Sequence, residues 1–246
     1  MKYAIIAAGE GSRLNKEGIK VPKPLVRING EALIDRLIRI FTENEAESII
    51  VAYRKSMTEV AEHLDKIKDD GINGRKLSIE SAAIDTPSSM HSLFEISGKL
   101  EGSNFCLTTV DTVFNEKSFK NYISYLKTAT ETNASDGVMA VTGYIDDEKP
   151  LYVETDNNMD ITGFLDDKCG CNFVSAGIYG LTPNAITILR NCVANGESRM
   201  RNFQRALLRN GMNLKAFDIG TAFDIDHASD LSLIHISEPT RPEPIS

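Results

Sequence analysis

The stretch MKYAIIAAGEGSRLNKEGIKVPKPL, residues 1–25, decides the predicted fold class and the candidate site. Residues 3–8 form a short apolar run that is followed by Gly9, which predicts a buried parallel strand. The segment GEGSRL at residues 9–14 predicts a glycine loop whose backbone amides are free to face an anion. Arg13 and Lys23 would then meet a phosphate from two sides, Arg13 as a planar fork and Lys23 as a point charge.

Three interpretations of this stretch compete. It fits a tight strand-to-helix turn with solvated cations, and it partly fits a dinucleotide site of the G-x-G-x-x-G type. The dinucleotide pattern fails because Leu14 occupies the third glycine position and no acidic residue closes a second strand at the expected distance. The combination of Gly9, Gly11, Arg13 and Lys23 favours the third interpretation, a nucleoside triphosphate site.

The rest of the chain alternates strand and helix patterns, which predicts a parallel sheet covered by helices on both faces. In the first half, strands are predicted at 3–8, 48–53, 77–84 and 104–110, with helices at 32–46, 57–67 and 90–96. The second half adds strands at 137–142, 174–179 and 214–218, helices at 184–193 and 201–210, and a hairpin insert formed by 150–154 and 161–165.

Three segments together resemble the signature of the sugar-phosphate and choline-phosphate nucleotidylyltransferase family, in its short single-domain form. They are the glycine loop, VPKPL at 21–25 and GEALI at 30–34. The resemblance implies a three-layer, Rossmann-like α/β fold with a mostly parallel mixed sheet, spanning one domain over residues 1–230. It also implies transfer of a nucleoside monophosphate from an NTP to a phosphorylated acceptor, with release of pyrophosphate. The nucleotide would be bound by Ala7, Ala8, Gly9, Gly11, Ser12, Arg13, Lys23, Ser88 and Ser89.

A metal site is expected beyond the carboxyl ends of the strands, where parallel sheets bind ligands. LTTVDTVF at 107–114 resembles the family's L-x-x-G-D pattern, which implies that Asp111 binds Mg²⁺ although Val110 replaces the usual glycine. The alternative for Asp111 is a cap of the following turn. By the same resemblance Asp224 is the second ligand, and Asp226 stays open because alternate residues of a strand share a face. Two carboxylates suit Mg²⁺.

Catalytic roles follow from the resemblance. Arg13 would hold the β- and γ-phosphates together with the glycine loop, and Lys23 would neutralise charge that grows on the α-phosphate. Asp111 completes the predicted catalytic set through the metal. His227 is assigned to helix capping rather than to metal binding.

The base and acceptor pockets carry weaker signals. TPSSMHSL at 86–93 resembles a segment of phosphocholine cytidylyltransferases, and Ser88 or Ser89 could equally well cap the following helix. VSAGIY at 174–179 resembles the family's V-N-A-G strand, which implies acceptor contacts at Ala176 and Gly177. Lys168 is the candidate for the acceptor phosphate, and Tyr152 for the aromatic side chain beside a sugar.

Composition excludes several classes of partner. The chain of 246 residues has a formal net charge of −8, which argues against a nucleic-acid or anionic-membrane surface. There is no run of eighteen apolar residues and no signal peptide at the start, so a cytoplasmic location is expected. The expected partners are an NTP and a phosphorylated small molecule, with the chain acting as a monomer or homodimer.

The last sixteen residues, LSLIHISEPTRPEPIS at 231–246, break the pattern of the preceding chain. They resemble the translation of a sequencing adapter, so we expect a disordered read-through scar in place of the natural C-terminal helix. A genuine Pro-rich disordered tail is the alternative. On either interpretation His235 receives no catalytic role.

Two further functions stay open at this stage. Val110, Ala222 and His227 depart from the family pattern, which leaves room for a nucleotide-binding regulator that has lost turnover. The length also fits a molybdenum-cofactor nucleotidylyltransferase. The joint presence of Arg13, Lys23, Asp111 and Asp224 favours an enzyme, but it identifies neither the base nor the acceptor.

Overall fold

A mixed sheet runs through the centre of the chain, which is described here from a computed structural model covering residues 1–72, 78–145 and 149–232. Its parallel half has the order β6 (Phe105–Thr109), β1 (Lys2–Ala7), β4 (Ser48–Arg54) and β5 (Ile79–Ile84). These strands are parallel because helical crossovers connect them, and the apolar runs of β1, β4 and β6 are buried on both faces. The carboxyl ends of β1 and β6 therefore meet at one edge.

The antiparallel half of the sheet is organised around β11 (Phe173–Leu181). This strand pairs with β6, with β8 (Gly137–Thr142) and with β9 (Tyr152–Thr155). The predicted hairpin insert is confirmed, since β10 (Ile161–Leu165) returns antiparallel to β9. Finally, β12 (Leu214–Asp218) lies parallel to β8, so the fold is the predicted mixed α/β sheet with a parallel centre.

Helices cover both faces of the sheet and divide the core in two. Within the described residues they are α1 (Ser12–Lys16), α2 (Leu33–Glu43), α3 (Thr58–Asp70), α4 (Ser89–Leu100), α5 (Glu116–Glu131), α6 (Asn184–Ala194) and α7 (Met200–Arg209). Alternate residues of β1 enter the two layers: Tyr3, Ile5 and Ala7 pack with α2, α3 and α5, and Ala4 and Ile6 pack with α4, α6 and α7. The predicted three-layer arrangement is thus confirmed.

Two short antiparallel ribbons flank the main sheet. One joins β2 (Arg27–Ile28) to β3 (Glu31–Ala32), and the other joins β7 (Thr112–Phe114) to β13 (Ala222–Asp224). The second ribbon matters for the site, because it brings the C-terminal part of the described chain against the residue that follows β6. Backbone hydrogen bonding extends it, with Ile225 N–H donating to the Asp111 carbonyl at 3.0 Å.

Several boundaries differ from the sequence-based expectation. Helix α5 was not among the predicted elements, and α3 continues to Asp70, three residues beyond the predicted end at residue 67. The predicted tail at 231–246 falls mostly on 233–246, outside the described residues, while residues 231 and 232 end a 3₁₀ turn, Ala228–Ser232. The proposed domain limits therefore stay predictions. Each helix in the described ranges is too short or too polar to span a lipid bilayer.

Candidate functional site

The glycine loop lies at the carboxyl end of β1 and is shaped by a contact with Lys23. Gly11 has a left-handed backbone (φ +59°), and a Cβ placed there would lie 3.2 Å from the Lys23 Cβ. A side chain at position 11 would be strained by the backbone and crowded by the lysine stem. The two parts of the opening sequence motif, ten residues apart from Arg13 to Lys23, thus pack directly against each other.

Lys23 is the centre of the site. Only 7 % of its side chain is exposed, and its ammonium forms ion pairs with the carboxylates of Asp111 and Asp226, the latter at 2.8 Å. Burial by itself would lower the pKa of Lys23, but the Asp111 and Asp226 carboxylates outweigh it, so the pKa is raised. Lys23 is therefore a fixed positive charge at this edge of the sheet.

Asp226 bridges the two cations of the opening motif. One of its carboxylate oxygens contacts Lys23, and the other accepts a hydrogen bond from the Arg13 guanidinium at 2.8 Å. Burial works against ionisation of Asp226, but Lys23 and Arg13 hold the pKa of this carboxyl below its usual range. Arg13 and Lys23 converge as predicted, and in this structure a carboxylate of the chain itself lies between them.

Asp111 and Asp224 form the acidic part of the site. The Oδ1 atom of Asp111 is buried and finds no hydrogen-bond donor among the described residues. Asp224 accepts a hydrogen bond from Thr112 at 2.8 Å and opens to a cleft. Desolvation by the surrounding protein and, after it, repulsion from the nearby Asp111 carboxylate raise the pKa of Asp224 to about 7.

These two carboxylates fit a hard divalent cation. An orphaned carboxylate oxygen beside a second carboxyl of raised pKa is an arrangement that a bound cation would relieve. Among the described residues, no group of three or more His, Cys, Asp or Glu side chains is arranged to hold a metal by itself. Any cation here would take its remaining ligands from phosphate oxygens and water, as Mg²⁺ commonly does.

A bulge in β11 lies against Thr112, the residue that orients Asp224. The pairing of β11 with β8 shifts register between Ser175 and Tyr179, an interval that contains Ala176 and Gly177. Gly177 has φ +73°, and a Cβ there would lie 3.1 Å from the Thr112 hydroxyl oxygen. Because Thr112 orients Asp224, the absence of a side chain at position 177 preserves the geometry of the carboxylate.

A pocket of about 190 Å³ lies on the glycine-loop side of Lys23. It is lined by Ala8, Gly9, Lys23, Ser88, Ser89, Thr109 and Asp111, among others. Ser88 caps α4 by accepting the His91 N–H at 3.5 Å, so both roles considered for this serine are compatible with its position. Ala7 is different: its side chain is buried in the core, and only its backbone lies at the end of the strand. Ser12 is exposed at the start of α1.

On the other side of Asp224 a cleft of about 670 Å³ opens, and the candidate acceptor residues are divided between it and a neighbouring groove. Ala176 and Gly177 line the cleft together with Asp224. Tyr152 and Lys168 instead line the groove, of about 740 Å³, so the structure does not bring all four together. The role of Lys168 at the acceptor phosphate stays a prediction, since Lys168 lines the groove and not the cleft that contains Asp224.

Sequence reasoning missed the cations where cleft and groove meet. Lys149, Arg199 and Arg201 line both cavities. No local motif surrounds them, and although Arg199 and Arg201 are close in the sequence, Lys149 comes from a distant segment, so only the fold brings the three together. Their charge was visible in the sequence, but their convergence was not.

The segment after Asp226 is attached to α1. His227 Nδ1 lies 2.7 Å from a Glu17 carboxylate oxygen, and the other oxygen accepts the Ala228 N–H at 2.6 Å. The hydrogen bond to Glu17 raises the pKa of His227. Asp230 accepts the backbone N–H groups of Asp226 and His227, so it is Asp230 that caps this turn.

Comparisons with known proteins agree with this fold. A family model described as "MobA-like NTP transferase domain" matches residues 3–158. The bifunctional protein GlmU of Methanococcus maripaludis is 26% identical over 246 residues, covering 94% of this chain and 54% of that protein. The chain thus spans about half the length of this curated relative.

Two solved structures share the whole fold at low identity. The inositol-1-phosphate CTP transferase from T. maritima superposes with a TM-score of 0.75 and 20% identity, covering 95% of this chain and 96% of that one. A putative glucose-1-phosphate thymidylyltransferase from Bacillus anthracis, determined with a sucrose, superposes with a TM-score of 0.82 and 16% identity, covering 98% and 96%.

Proposed function

The chain belongs to the MobA-like NTP transferase domain family, and from that membership we propose that it transfers a nucleoside monophosphate from an NTP to a phosphorylated acceptor. The observation that carries the proposal is the position of Lys23. It lies between a pocket at the glycine loop and a cleft beyond Asp224, and it contacts carboxylates that would otherwise be left with unbalanced charge.

The proposed reaction is an in-line displacement. A phosphate oxygen of the acceptor forms a bond to the α-phosphorus of the NTP, and the bond from that phosphorus to the bridging oxygen breaks. Pyrophosphate leaves with the electron pair of the broken bond. No protein nucleophile is required, because the acceptor phosphate is already ionised at neutral pH. The chain contributes positioning and charge stabilisation.

Individual residues have separate roles in this proposal. Lys23 faces the α-phosphate and balances the charge that develops on it, while Arg13 exchanges its contact with Asp226 for the β- and γ-phosphates. The amides of the glycine loop, with Ser12 at the start of α1, lie against the same phosphates. Ser88 and Ser89 border the space for ribose and base.

Asp111 and Asp224 are the residues that we propose to hold Mg²⁺. When bound, the ion would neutralise negative charge on the phosphate oxygens. Asp226 is the weaker candidate, because its carboxylate already contacts Arg13 and Lys23. The unpaired Oδ1 of Asp111 and the accessible carboxyl of Asp224 support this choice over the third carboxylate.

The acceptor class is proposed from the names of the relatives and from the cleft. Those names include inositol 1-phosphate and glucose 1-phosphate, so we propose a phosphorylated sugar or polyol. Phosphocholine is a further candidate acceptor, because the segment at 86–93 resembles one found in phosphocholine cytidylyltransferases. We also propose a cytoplasmic location, where nucleoside triphosphates are available.

A pyrophosphate-release assay tests the proposal. Each of the four NTPs is combined with Mg²⁺ and with glucose 1-phosphate, inositol 1-phosphate or phosphocholine. Asp111→Asn should lower turnover by about a hundredfold or more. The matched control is Asp65→Asn, which removes an exposed carboxylate that pairs with Lys68 on α3. Equal turnover by the two variants would contradict the role of Asp111.

Two other functions make different predictions in the same assay. A nucleotide-binding regulator would show an NTP-dependent rise in melting temperature without pyrophosphate release. A molybdenum-cofactor nucleotidylyltransferase, which the MobA-like family description supports, would release pyrophosphate only with the pterin acceptor.

A further inference from the structure

The groove beside the cleft is positively charged in an otherwise acidic protein. Among the residues that the structure describes, five of its lining side chains are cationic and two are anionic: Lys149, Lys168, Arg199, Arg201 and Arg205 against Asp166 and Asp167. The whole chain carries a formal net charge of −8. A local excess of positive charge in such a chain creates a potential that attracts an anion to this groove.

Part of this charge is held in place by Asp166. Its carboxylate accepts hydrogen bonds or forms ion pairs with Arg201 at 2.8 Å and Arg205 at 2.9 Å, and the two arginines lower the pKa of this carboxyl. Arg201 also donates to the backbone carbonyl of Lys149 at 2.9 Å. The Asp166 carboxylate thus orients the guanidinium groups of Arg201 and Arg205. One negative charge facing two positive charges leaves a net charge of +1 on these three residues.

Arg199 has a different environment. Its guanidinium makes no hydrogen bond or ion pair with any residue that the structure describes, and it borders both cleft and groove. Its backbone has φ +78° and ψ 139°, a conformation that favours glycine. A non-glycine residue there costs about 1–3 kcal/mol. An arginine at a position that glycine would occupy without strain is best explained by what its side chain binds.

These cations are separate from the groups proposed to bind the nucleotide. The pocket at the glycine loop shares no lining residue with the groove, whereas the cleft that contains Asp224 shares three with it. An acceptor that presents its phosphate near Asp224 would therefore extend toward Arg199. The NTP phosphates have Arg13 and Lys23 and do not require a further set of cations.

We infer that the acceptor carries a second anionic group, a carboxylate or a second phosphate, which binds at Arg199 with Arg201 and Lys149 beside it. This inference rests on the proposed function, since it assigns the far end of the same acceptor site. Arg199 is thereby a specificity-determining residue, because a neutral acceptor leaves its charge unpaired and a doubly anionic acceptor does not.

Matched ligands test this inference by calorimetry on the full chain. Glucose 1-phosphate is neutral at its far end, glucuronic acid 1-phosphate adds a carboxylate, and glucose 1,6-bisphosphate adds a phosphate. At least one charged ligand should bind about tenfold more tightly than glucose 1-phosphate, and added salt should reduce the difference. The identity of the tighter ligand distinguishes the two anions.

Variants assign the effect to a residue. Arg199→Gln should remove the advantage of the charged ligand while weakening glucose 1-phosphate binding much less, and Arg199→Lys should restore part of that advantage. Arg190→Gln is the matched control, since Arg190 is an exposed arginine of α6 that pairs with Glu101. Equal binding of the three ligands, or equal weakening of all three in Arg199→Gln, would overturn the inference.

Pyrophosphate release measured in parallel separates the two proposals. If a charged ligand binds through Arg199 but no NTP is turned over, the proposed function fails and the anion site stands. If NTP is turned over with glucose 1-phosphate and no charged ligand binds more tightly, the proposed function stands and the anion site fails.

Discussion

Replacing Lys23 by methionine removes one charge and keeps most of the side-chain volume. In the wild-type protein this ammonium contacts Asp111 and Asp226, and only 7 % of its side chain is exposed. The variant leaves both oxygens of Asp111 without a partner among the described residues, because the other oxygen already lacks one. We expect loss of stability and loss of turnover, each for its own reason.

The size of the stability effect follows from exposure. Removing one partner of a fully buried ion pair costs about 3–5 kcal/mol. Here Asp111 is 18 % and Asp226 43 % exposed, so water can solvate the carboxylates that remain. The expected loss is about 1–2 kcal/mol, or a melting temperature about 3–6 °C lower for a chain of this length. Turnover should fall by about 10²–10³, the effect of removing one group aimed at developing charge.

A double variant separates the two effects. Lys23→Met combined with Asp111→Asn removes the uncompensated charge, so it should recover most of the lost melting temperature and none of the turnover. Differential scanning fluorimetry without added metal and the pyrophosphate assay measure the two quantities. Lys20→Met is the control, because among the described residues that exposed lysine bonds only to Asn15, and its loss should change the free energy of unfolding by less than about 0.5 kcal/mol.

Two results would refute the reasoning. If Lys23→Met keeps turnover within about a factor of ten of the wild type, Lys23 does not act on the reacting phosphate. If the double variant is less stable than the single one, the Lys23–Asp111 contact is not what stabilises this edge of the sheet.

Three further predictions concern the surroundings of the site. The pKa of Asp224 is raised to about 7, so its ionisation opposes folding. Its contribution to the free energy of unfolding is most favourable below about pH 4 and is lost as the pH rises through 7. Asp224→Asn should therefore melt at a higher temperature than the wild type at pH 8, and should show no such gain at pH 4. Gly177→Ala should lose about 1–3 kcal/mol in urea unfolding through strain and its contact with Thr112, and Gly170→Ala, with φ +83° and open space, should lose less; equal losses would contradict the contact. Ser88→Ala removes a helix cap and should cost about 1 kcal/mol, and an unchanged unfolding midpoint would show that the cap is unimportant.

The parallel half of the fold was predictable because local patterns report it directly. Runs such as residues 48–53 are too short for a buried helix and are rich in β-branched residues, and residues 32–46 carry a helical stripe of apolar residues. The strand order is a different matter. The position of β11 between β6 and the hairpin depends on packing between distant segments, to which no local pattern refers.

The sequence contains a helix pattern at α5 that the predicted elements did not include. Asn115 caps it through the Ser118 N–H, and its buried residues Phe119, Tyr122, Ile123 and Leu126 recur at helical spacing. The same test that identified α2 would have identified α5. The existence of α5 was therefore predictable, unlike the strand order.

The candidate site divides in the same way. Arg13 and Lys23 belong to a contiguous motif, so their convergence could be predicted, and the contact between Gly11 and Lys23 gives its physical reason. The choice between Asp224 and Asp226 could not be made from alternation along a strand. It depends on which carboxylate Lys23 and Arg13 contact, which is a property of side-chain positions.

The β7–β13 ribbon has a consequence for synthesis on the ribosome. Asp226 follows Lys23 by 203 residues, and Asp224 follows Thr112 by 112. At about 5–20 residues per second, roughly 10–40 s pass between translation of Lys23 and translation of Asp226. Throughout that interval the nascent chain presents Arg13 and Lys23 without one of their carboxylate partners. The carboxylate that bridges the two cations is therefore the last of the described ion-pairing groups of this site to be synthesised, and the site is complete only when the C-terminal segment has docked.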